Sequence, residues 1–301
     1  MTGSDYVAYY NGSWMPFSEV RVDPNDRGFL TGDAVFDAAR TFDGVGFLLE
    51  AHVERLYDSL RVARIDPGIG PADMLAITHE VISRNEGQRP DVGDYQVWQW
   101  VTRGPGRWAH DAGPPGVCVK VAPVDFGRYA RLYESGAHAV VTRTQSLPVG
   151  TVDPKLKTYS RMHFNLAELE ASRTDPEGWP VLVDEGGNVT EGSGYNLFLV
   201  RDGVVITPDA RSVLGGVSRR YAISLAREVG LDVIEADVQE YHLLTADEAF
   251  FTGTSPCILP VTRASGAPIG DGLPGPITAR LLEEWSSRVG VAIADQARKY
   301  A

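Results

Sequence analysis

Hydrophobic and polar residues follow two different patterns along this chain, and together they predict a mixture of strands and helices. Short apolar segments meet at Asn11-Gly12 and at Asp43-Gly44, which predicts β-hairpins in the first part of the chain. Continuous apolar runs predict buried strands over 95–102 and 116–123. Apolar residues at helical spacing predict helices over 52–64, 71–84, 158–171, 217–229 and 276–289.

The second half of the chain also predicts several short strands, at 138–144, 181–183, 196–200, 204–206, 231–235 and 248–252. Hairpins mixed with helices indicate an α+β (α/β) fold and exclude a plain parallel doubly wound sheet. A chain of 301 residues is long enough for two domains, each with its own core. We predict a small α/β domain over 1–125, a connector over 126–136 and a larger domain over 137–301.

Composition and charge exclude several classes of protein. The net charge of -12 argues against a nucleic-acid partner, because phosphate binding needs basic residues. The two cysteines, Cys118 and Cys257, are far apart, so neither a disulfide framework nor a metal site is predicted. The first residues lack the pattern of a signal peptide, and no apolar run is as long as a membrane span. We therefore expect a cytoplasmic protein without a membrane partner.

Candidate chemistry centres on the stretch from Asp153 to Phe198. The chain has only four lysines, and two of them, Lys155 and Lys157, lie at the predicted start of a helix. A lysine amine can form a Schiff base, whereas an arginine guanidinium cannot. A carboxylate, Glu191, follows a Gly-Gly-Asn turn later in the same stretch. Two solvated lysines at a turn are the structural alternative, and this stretch alone favours it.

Two glycine turns predict sites for an anion. Gly215-Gly216 precedes a predicted helix, whose free first-turn amides and Ser218 hydroxyl suit a phosphate. Thr254 and Ser255 lie in a second turn at a strand end, and Arg55 is a third candidate donor. The glycines could equally serve only the chain connection, and a solvated helical arginine is the commoner case. The chain has no dinucleotide fingerprint or Walker lysine.

Taken together, these motifs resemble the fold-type IV (class IV) pyridoxal-phosphate enzymes. That group includes branched-chain and D-amino-acid aminotransferases, (R)-amine transaminases and aminodeoxychorismate lyases. The resemblance runs from Gly32-Asp33 to the terminal helix and is strongest at Val189-Thr190-Glu191-Gly192 with Asn196-Leu197-Phe198. It implies a two-domain fold with a small α/β domain and a larger pseudo-barrel domain, with pyridoxal 5'-phosphate between them.

The resemblance also implies roles for individual residues. Lys157 is similar to the Schiff-base lysine of these enzymes, and Lys155 is expected to be structural. Glu191 corresponds to the carboxylate that pairs with the pyridine nitrogen and keeps it protonated. Leu214 corresponds to the apolar residue that packs on the face of the cofactor ring. The residues that contact the cofactor phosphate correspond to Arg55, Val217, Ser218 and Thr254.

The substrate side of the resemblance is mixed. Branched-chain enzymes carry a tyrosine shortly after the lysine, whereas this chain has Ser160-Arg161-Met162 there. They also carry a Tyr-x-Arg motif on a strand of the small domain, whereas this chain has Tyr95-Gln96-Val97 at that place. D-amino-acid enzymes carry Arg-x-His in the following loop, and the loop over 103–115 offers Arg107 and His110. The candidate substrate residues are Phe36, Arg40, Tyr95, Arg107, His110 and Ser255, with Trp98 or Trp108 as further pocket residues.

These observations predict an aminotransferase, expected as a homodimer, that moves an amino group from an amino acid or amine to a 2-oxo acid. The donor could be of branched-chain, D-amino-acid or (R)-amine type. The alternative within the family is a lyase that releases pyruvate from aminodeoxychorismate. A third possibility, from another class, is a non-catalytic relative that binds a phosphorylated ligand, against which Lys157 and Glu191 both argue.

Overall fold

The structure is a computed structural model that describes residues 5–301. Contacts divide the chain into two compact units. The first unit extends to Val124 and also includes Leu156–Arg161, and the second comprises Asp125–Lys155 and Met162–Ala301. The segment that carries Lys157 therefore belongs to the first unit, although the sequence had assigned it to the larger domain.

The first unit is an antiparallel sheet with helices. Its strands are β1 (Val7–Tyr10), β2 (Ser13–Pro16), β3 (Ala34–Phe42), β4 (Val45–Gly46), β5 (Tyr95–Thr102) and β6 (Gly116–Pro123). Its α-helices are α1 (Arg27–Thr31), α2 (Leu49–Ala63), α3 (Pro71–Asn85) and α4 (Arg89–Val92). The strand order is β2-β1-β6-β5-β3-β4.

The two faces of this sheet differ in chemistry. Because side chains alternate along a strand, Val35 and Ala39 of β3 share one face with Val97 and Val101 of β5. This face forms the core with α2 and α3, where Leu56 is fully buried. The opposite face carries the alternate residues of β3 and β5, which are Phe36, Ala38, Arg40, Gln96, Trp98 and Trp100.

The second unit contains the remaining elements. Its strands are β7 (Ala137–Gln145), β8 (Trp179–Val183), β9 (Glu191–Gly192), β10 (Tyr195–Arg201), β11 (Val204–Pro208), β12 (Val233–Ala236), β13 (Glu248–Gly253), β14 (Cys257–Ala264) and β15 (Ala267–Pro268). Its α-helices are α5 (Leu132–Ser135), α6 (Met162–Thr174), α7 (Val217–Glu228), α8 (Glu240–Leu244), α9 (Pro276–Val289) and α10 (Ile293–Tyr300).

The sheet of the second unit is mixed. Its main path runs β12-β11-β10-β13-β14-β7-β8, with β9 paired to β10 and β15 paired to β14. The pairs β11–β12, β14–β7 and β7–β8 are parallel, and the pairs β11–β10, β10–β13 and β13–β14 are antiparallel. The α+β expectation is confirmed. Among residues 5–301, no helix combines the length and the apolar character needed to cross a membrane.

Most predicted elements agree with the structure, and one important helix does not. The first hairpin turns at Asn11-Gly12 and the second at Asp43-Gly44, and all four residues have positive φ. The predicted helix over 158–171 instead begins at Met162, because the preceding residues form backbone hydrogen bonds to β3. The predicted connector contains α5 and the buried side chains of Phe126 and Tyr133. The apolar strand β14 was not predicted.

Candidate functional site

The backbone of Lys157 is fixed against β3 of the first unit. The carbonyl of Lys157 accepts a 3.0 Å hydrogen bond from the amide of Phe36, and the amide of Tyr159 donates to the Ala34 carbonyl at 3.0 Å. The amide of Lys157 donates to Oγ of Ser59 on α2 at 3.3 Å. The amide and the carbonyl of Lys157 are both hydrogen-bonded, so its side chain is the main freedom at this position.

The side chain of Lys157 lies over an aromatic surface. Its Nζ is 4.7 Å from the centroid of the Phe36 ring. That ring in turn stacks on Tyr159 at 4.3 Å and on Trp98 at 5.6 Å. The guanidinium of Arg161 is 5.6 Å from the Phe36 centroid as well. The face of the sheet that carries Phe36 therefore combines aromatic rings with two cationic side chains.

Lys155 has a different environment, within the second unit. Its Nζ lies 2.8 Å from Oδ1 of Asp153, and about half of its side chain is exposed. The Asp153 carboxyl is subject to slight burial, which opposes ionisation, but its bonds to Lys155 outweigh that and lower its pKa. An exposed ion pair within a turn accounts for Lys155, as expected for a structural lysine.

On the core side of β3, Asp37 forms a buried charged cluster with α2. Nε and Nη2 of Arg55 each donate to Asp37 at 2.8 Å, and Nδ1 of His52 lies 2.7 Å from Oδ1 of Asp37. Burial alone would raise the pKa of Asp37, but Arg55 and His52 outweigh it and hold that pKa below its usual range. Asp37 is therefore a carboxylate whose two oxygens fix the orientation of Arg55.

The pKa of His52 is lowered in this cluster, which favours its neutral form. Burial lowers its pKa, and the positive charges of Arg55 and Lys157 add to that effect, whereas Asp37 opposes it. A neutral imidazole beside a carboxylate carries its proton on the nitrogen that faces it, so Nδ1 of His52 donates to Asp37. The sequence analysis named Arg55 but gave Asp37 and His52 no role. An acidic residue on the apolar face of β3, and the spacing of His52 and Arg55 on one helix face, were the signals available.

In the second unit, Glu191 is a buried carboxylate with two ordered donors. Nδ2 of Asn196 donates to Oε2 at 3.0 Å, and the amide of Leu214 donates to Oε1 at 3.0 Å. Asn196 also donates to the Leu214 carbonyl at 3.2 Å, which joins the β9–β10 hairpin to the segment before α7. The sequence analysis found Glu191 and Leu214 but assigned no role to Asn196.

The start of α7 requires glycine on steric grounds. A Cβ on Gly216 would lie 2.2 Å from Oδ1 of Asn196. Gly216 is the residue before the helix, and no side chain accepts a capping hydrogen bond there. The amides of Val217 and Ser218 thus begin the helix without a side-chain cap, and both residues are buried.

Thr254 and Ser255 lie in the turn that joins β13 to β14. Both side chains are partly exposed. Two residues before Thr254, the buried Oγ1 of Thr252 has no hydrogen-bond partner among residues 5–301. Thr252 is directly opposite Asn196 in the sheet, so a polar group without a partner adjoins the residue that orients Glu191.

The structure separates the predicted substrate residues. Phe36 and Arg40 are on the aromatic face of β3, where Nε of Arg40 donates to the Thr41 carbonyl and its guanidinium lies 4.1 Å from the Phe42 centroid. Tyr95 is on the opposite face, fully buried, and its hydroxyl donates to the Asn85 carbonyl at 2.8 Å. This position corrects the expectation that Tyr95 contacts a substrate, because strand alternation directs it into the core.

The loop over 103–115 contains one anchored arginine and one exposed arginine. Arg103 forms an ion pair with Asp33 at 2.7 Å and donates to the carbonyls of Ala63 and Arg64. Arg107 and His110 are both exposed, and the Arg107 guanidinium is 5.4 Å from the Trp108 centroid. Arg103 therefore holds the loop in place, whereas the side chains of Arg107 and His110 are exposed to solvent.

Comparison with known proteins gives consistent results. Residues 34–264 match the amino-transferase class IV family model. The chain is 32% identical, over 96% of its length and 99% of the relative, to a Methanocaldococcus jannaschii protein with the provisional name branched-chain-amino-acid aminotransferase. It is 30% identical to the D-alanine aminotransferase of Bacillus licheniformis, over 89% of this chain and 92% of the relative.

A solved structure resembles the whole fold. It is a branched-chain amino acid aminotransferase from T.th. with pyridoxamine 5'-phosphate, and it has a TM-score of 0.85 and 26% sequence identity to this chain. The similarity covers 99% of this chain and 97% of that one, so it extends over both compact units.

Proposed function

This chain belongs to the class IV aminotransferase family and is an enzyme, and on that premise we propose that it is a pyridoxal-phosphate-dependent transaminase with Lys157 as its catalytic lysine. The amino donor is an amino acid or amine of branched-chain, D-amino-acid or (R)-amine type, and the acceptor is a 2-oxo acid. The observation that carries this proposal is the environment of Lys157 and Glu191. Lys157 is held by backbone pairing beside an aromatic ring, and Glu191 is a buried carboxylate with both oxygens hydrogen-bonded.

The residues of the second unit fit the cofactor. Glu191 would pair with the ring nitrogen, Leu214 would contact the ring, and the amides of Val217 and Ser218 with the hydroxyls of Ser218 and Thr254 would hold the phosphate. The uncapped start of α7 supports this assignment, because free amides at a helix start favour an anion. When bound, the cofactor supplies an electron sink for the carbon that loses its proton.

The residues of the first unit would position and move the proton. The amine of Lys157 would carry it between the substrate and the cofactor, acting as general base and then as acid. Its fixed backbone limits where the amine can reach. Asp37 orients Arg55, which we assign to the phosphate, and the lowered pKa of His52 disfavours a further positive charge in this cluster.

The donor site is proposed to be apolar and aromatic. Phe36, Trp98 and Tyr159 form a continuous stack next to Lys157. A surface of this kind favours hydrophobic donor side chains, because flat rings bury large apolar area. The carboxylate of the acceptor is assigned to Arg107 and His110, with Arg40 and Ser255 as further substrate residues.

We further propose that the protein is a cytoplasmic homodimer whose two compact units are the small and large domains predicted from the sequence. Both cysteines are buried as thiols, which suits a reducing compartment. Helix α6 exposes Met162, Leu166 and Leu169, by 69%, 51% and 60% respectively, while its inner face packs through Ala167 and Ala171. An exposed apolar helix face of this kind supports a second copy as its partner.

The lyase alternative is not favoured, because the relatives found are aminotransferases. Two measurements test the choice. The absorbance of the purified holoenzyme, recorded before and after D-alanine, L-leucine and (R)-1-phenylethylamine, is expected to change with at least one donor. Pyruvate released from aminodeoxychorismate without any added 2-oxo acid, together with no spectral response to the three donors, would contradict transamination.

A further inference from the structure

The turn between β13 and β14 contains a backbone conformation that is unusual for its residue. Gly253 pairs with Cys257, so Thr254, Ser255 and Pro256 form a three-residue hairpin loop. Cys257, which follows the loop, has φ of 60° and is fully buried. Glycine usually occupies the left-handed position after such a loop, and a residue with a Cβ remains there only when its surroundings impose it.

Two tyrosine hydroxyls bond to the backbone just before this residue. The hydroxyl of Tyr129 donates to the Ser255 carbonyl at 3.1 Å, and the hydroxyl of Tyr133 donates to the Pro256 carbonyl at 2.7 Å. These are the two carbonyls that directly precede Cys257. Both tyrosine rings are buried and meet edge to face at 5.9 Å.

The tyrosines are themselves fixed to the same sheet. Tyr133 belongs to α5, and Oγ1 of Thr262 on β14 donates to the carbonyl of Ser135 at the end of that helix, at 2.9 Å. The Tyr129 ring also contacts Phe126, with 6.2 Å between centroids. The predicted connector over 126–136 thus contacts the loop before β14 through the two tyrosines and contacts β14 itself at Thr262.

We propose that Tyr129 and Tyr133 are positioning residues for the cofactor phosphate, acting through the turn that contains Thr254 and Ser255. This inference rests on the proposed function, which assigns Thr254 to the phosphate. Two fixed peptide planes set the turn before an anion arrives, so binding does not have to order it. Without the two hydroxyls the strained turn relaxes. Phosphate binding is then weaker, because part of its free energy is used to restore the turn.

If the tyrosines have a purely structural role, their substitution weakens the binding of every ligand to the same degree, or lowers only the stability of the fold. A positioning role concerns the phosphate alone. The two roles are separated by comparing pyridoxal 5'-phosphate with pyridoxal, which lacks the phosphate, on the full-length protein freed of cofactor. The matched control is Tyr57→Phe, which removes a hydroxyl that donates to the Ile69 carbonyl at 2.7 Å in the first unit.

The experiment measures dissociation constants by absorbance titration and melting temperatures by calorimetry. For Tyr129→Phe/Tyr133→Phe we expect Kd for pyridoxal 5'-phosphate to rise about tenfold. Kd for pyridoxal should stay unchanged, and the melting temperature should fall by no more than about twice the shift in Tyr57→Phe, because two hydroxyl bonds are lost instead of one. If the double variant does not fold, Tyr129→Phe, which removes the longer bond, replaces it. Tyr129→Phe is expected to raise Kd for pyridoxal 5'-phosphate by a smaller factor and to leave Kd for pyridoxal unchanged.

Equal Kd changes for both ligands, or no change for either, would overturn the positioning role while the wild type still binds the cofactor. A wild-type protein that takes up no pyridoxal 5'-phosphate would instead overturn the proposed function, and the positioning role with it.

Discussion

At the scale of single residues, the candidate site depends on carboxylates whose partners the fold supplies. Glu191 accepts from Asn196 and from the Leu214 amide, and Asp37 accepts from Arg55 and His52. In both cases every donor requires a carboxylate oxygen. Replacement of either acid by an amide would turn one acceptor into a donor that faces another donor.

Glu191→Gln tests the first carboxylate. We expect the variant to retain the cofactor but to lose turnover on the order of a hundredfold, because the ring nitrogen loses its charged partner. Steady-state kcat and the bound-cofactor spectrum are the measurements. Glu168→Gln is the control, since Glu168 accepts only an exposed hydrogen bond from Ser193 as far as residues 5–301 are described. Near wild-type kcat in Glu191→Gln would make Glu191 a structural residue of its turn.

His52 gives a prediction about pH. The pKa of His52 is lowered in the folded protein. When the pH falls below the ordinary histidine pKa of about 6.5, His52 is therefore protonated more readily in the unfolded chain than in the folded protein. Stability should therefore fall as pH drops from 7 to 5, by at most about 1.4 kcal/mol per pH unit from this group. Asp37, whose folded pKa is also lowered, contributes stability that is lost only in more acidic solution.

The measurement is the melting temperature at pH 7, 6 and 5 for the wild type, His52→Gln and the exposed-histidine control His79→Gln. The fall should be shallower in His52→Gln than in the other two proteins. Identical slopes in all three would show that His52 is not the group responsible.

At the scale of elements, β3 organises the first unit because its two faces contact different parts of that unit. Asp37 faces α2 and Phe36 faces the aromatic stack, while the backbone pairs with the segment that holds Lys157. The alternation of β3 was readable from the sequence. Its pairing with 156–161 was not, because so short a segment next to a helix has too few residues to show whether its apolar spacing is that of a strand or of the helix.

The loop over 103–115 gives a prediction at this scale. Arg107→Ala should raise KM for pyruvate or 2-oxoglutarate by about tenfold or more, as expected for the loss of a charge-assisted pair of about 1.5–3 kcal/mol. Arg103→Ala is the comparison, and because Arg103 pairs with Asp33 and two carbonyls it should lower the melting temperature. A selective rise in KM with Arg103→Ala or Arg40→Ala, and none with Arg107→Ala, would show that the loop does not bind the acceptor.

Sequence reasoning succeeded where local chemistry determines structure. The Asn11-Gly12 and Asp43-Gly44 turns, and the strands over 95–102 and 116–123, follow from short-range rules. It failed where long-range packing decides. Tyr95 was placed beside the substrate, yet the register of β5 directs it into the core. The partners of Cys257's turn come from residues distant in sequence, which no single-sequence pattern identifies.

At the scale of the whole molecule, the exposed face of α6 predicts association. Leu166→Glu/Leu169→Glu should convert a dimer into a monomer of about 32.7 kDa, because burying carboxylates in an apolar interface is costly. Light scattering measures the mass, and Leu273→Glu, at another exposed leucine, is the control. A wild type that is monomeric at micromolar concentration, or a double variant that stays dimeric, would contradict this interface.

The family assignment and the separation of Lys157 from Lys155 together form the central claim about the whole enzyme. Lys157 belongs to the unit that contains β3, and Lys155 belongs to the other unit, where it pairs with Asp153. Only one of these two neighbouring amines is expected to bond covalently to the cofactor.

The most direct measurement is borohydride reduction of the wild type, Lys157→Ala and Lys155→Ala with bound cofactor, followed by mass spectrometry of the peptides. We predict a permanent cofactor adduct on Lys157 in the wild type and in Lys155→Ala. Lys157→Ala should carry no adduct and should lack the absorbance at roughly 410–430 nm that the cofactor gives when joined to a lysine. An adduct on Lys155, or a yellow and reducible Lys157→Ala protein, would contradict the account.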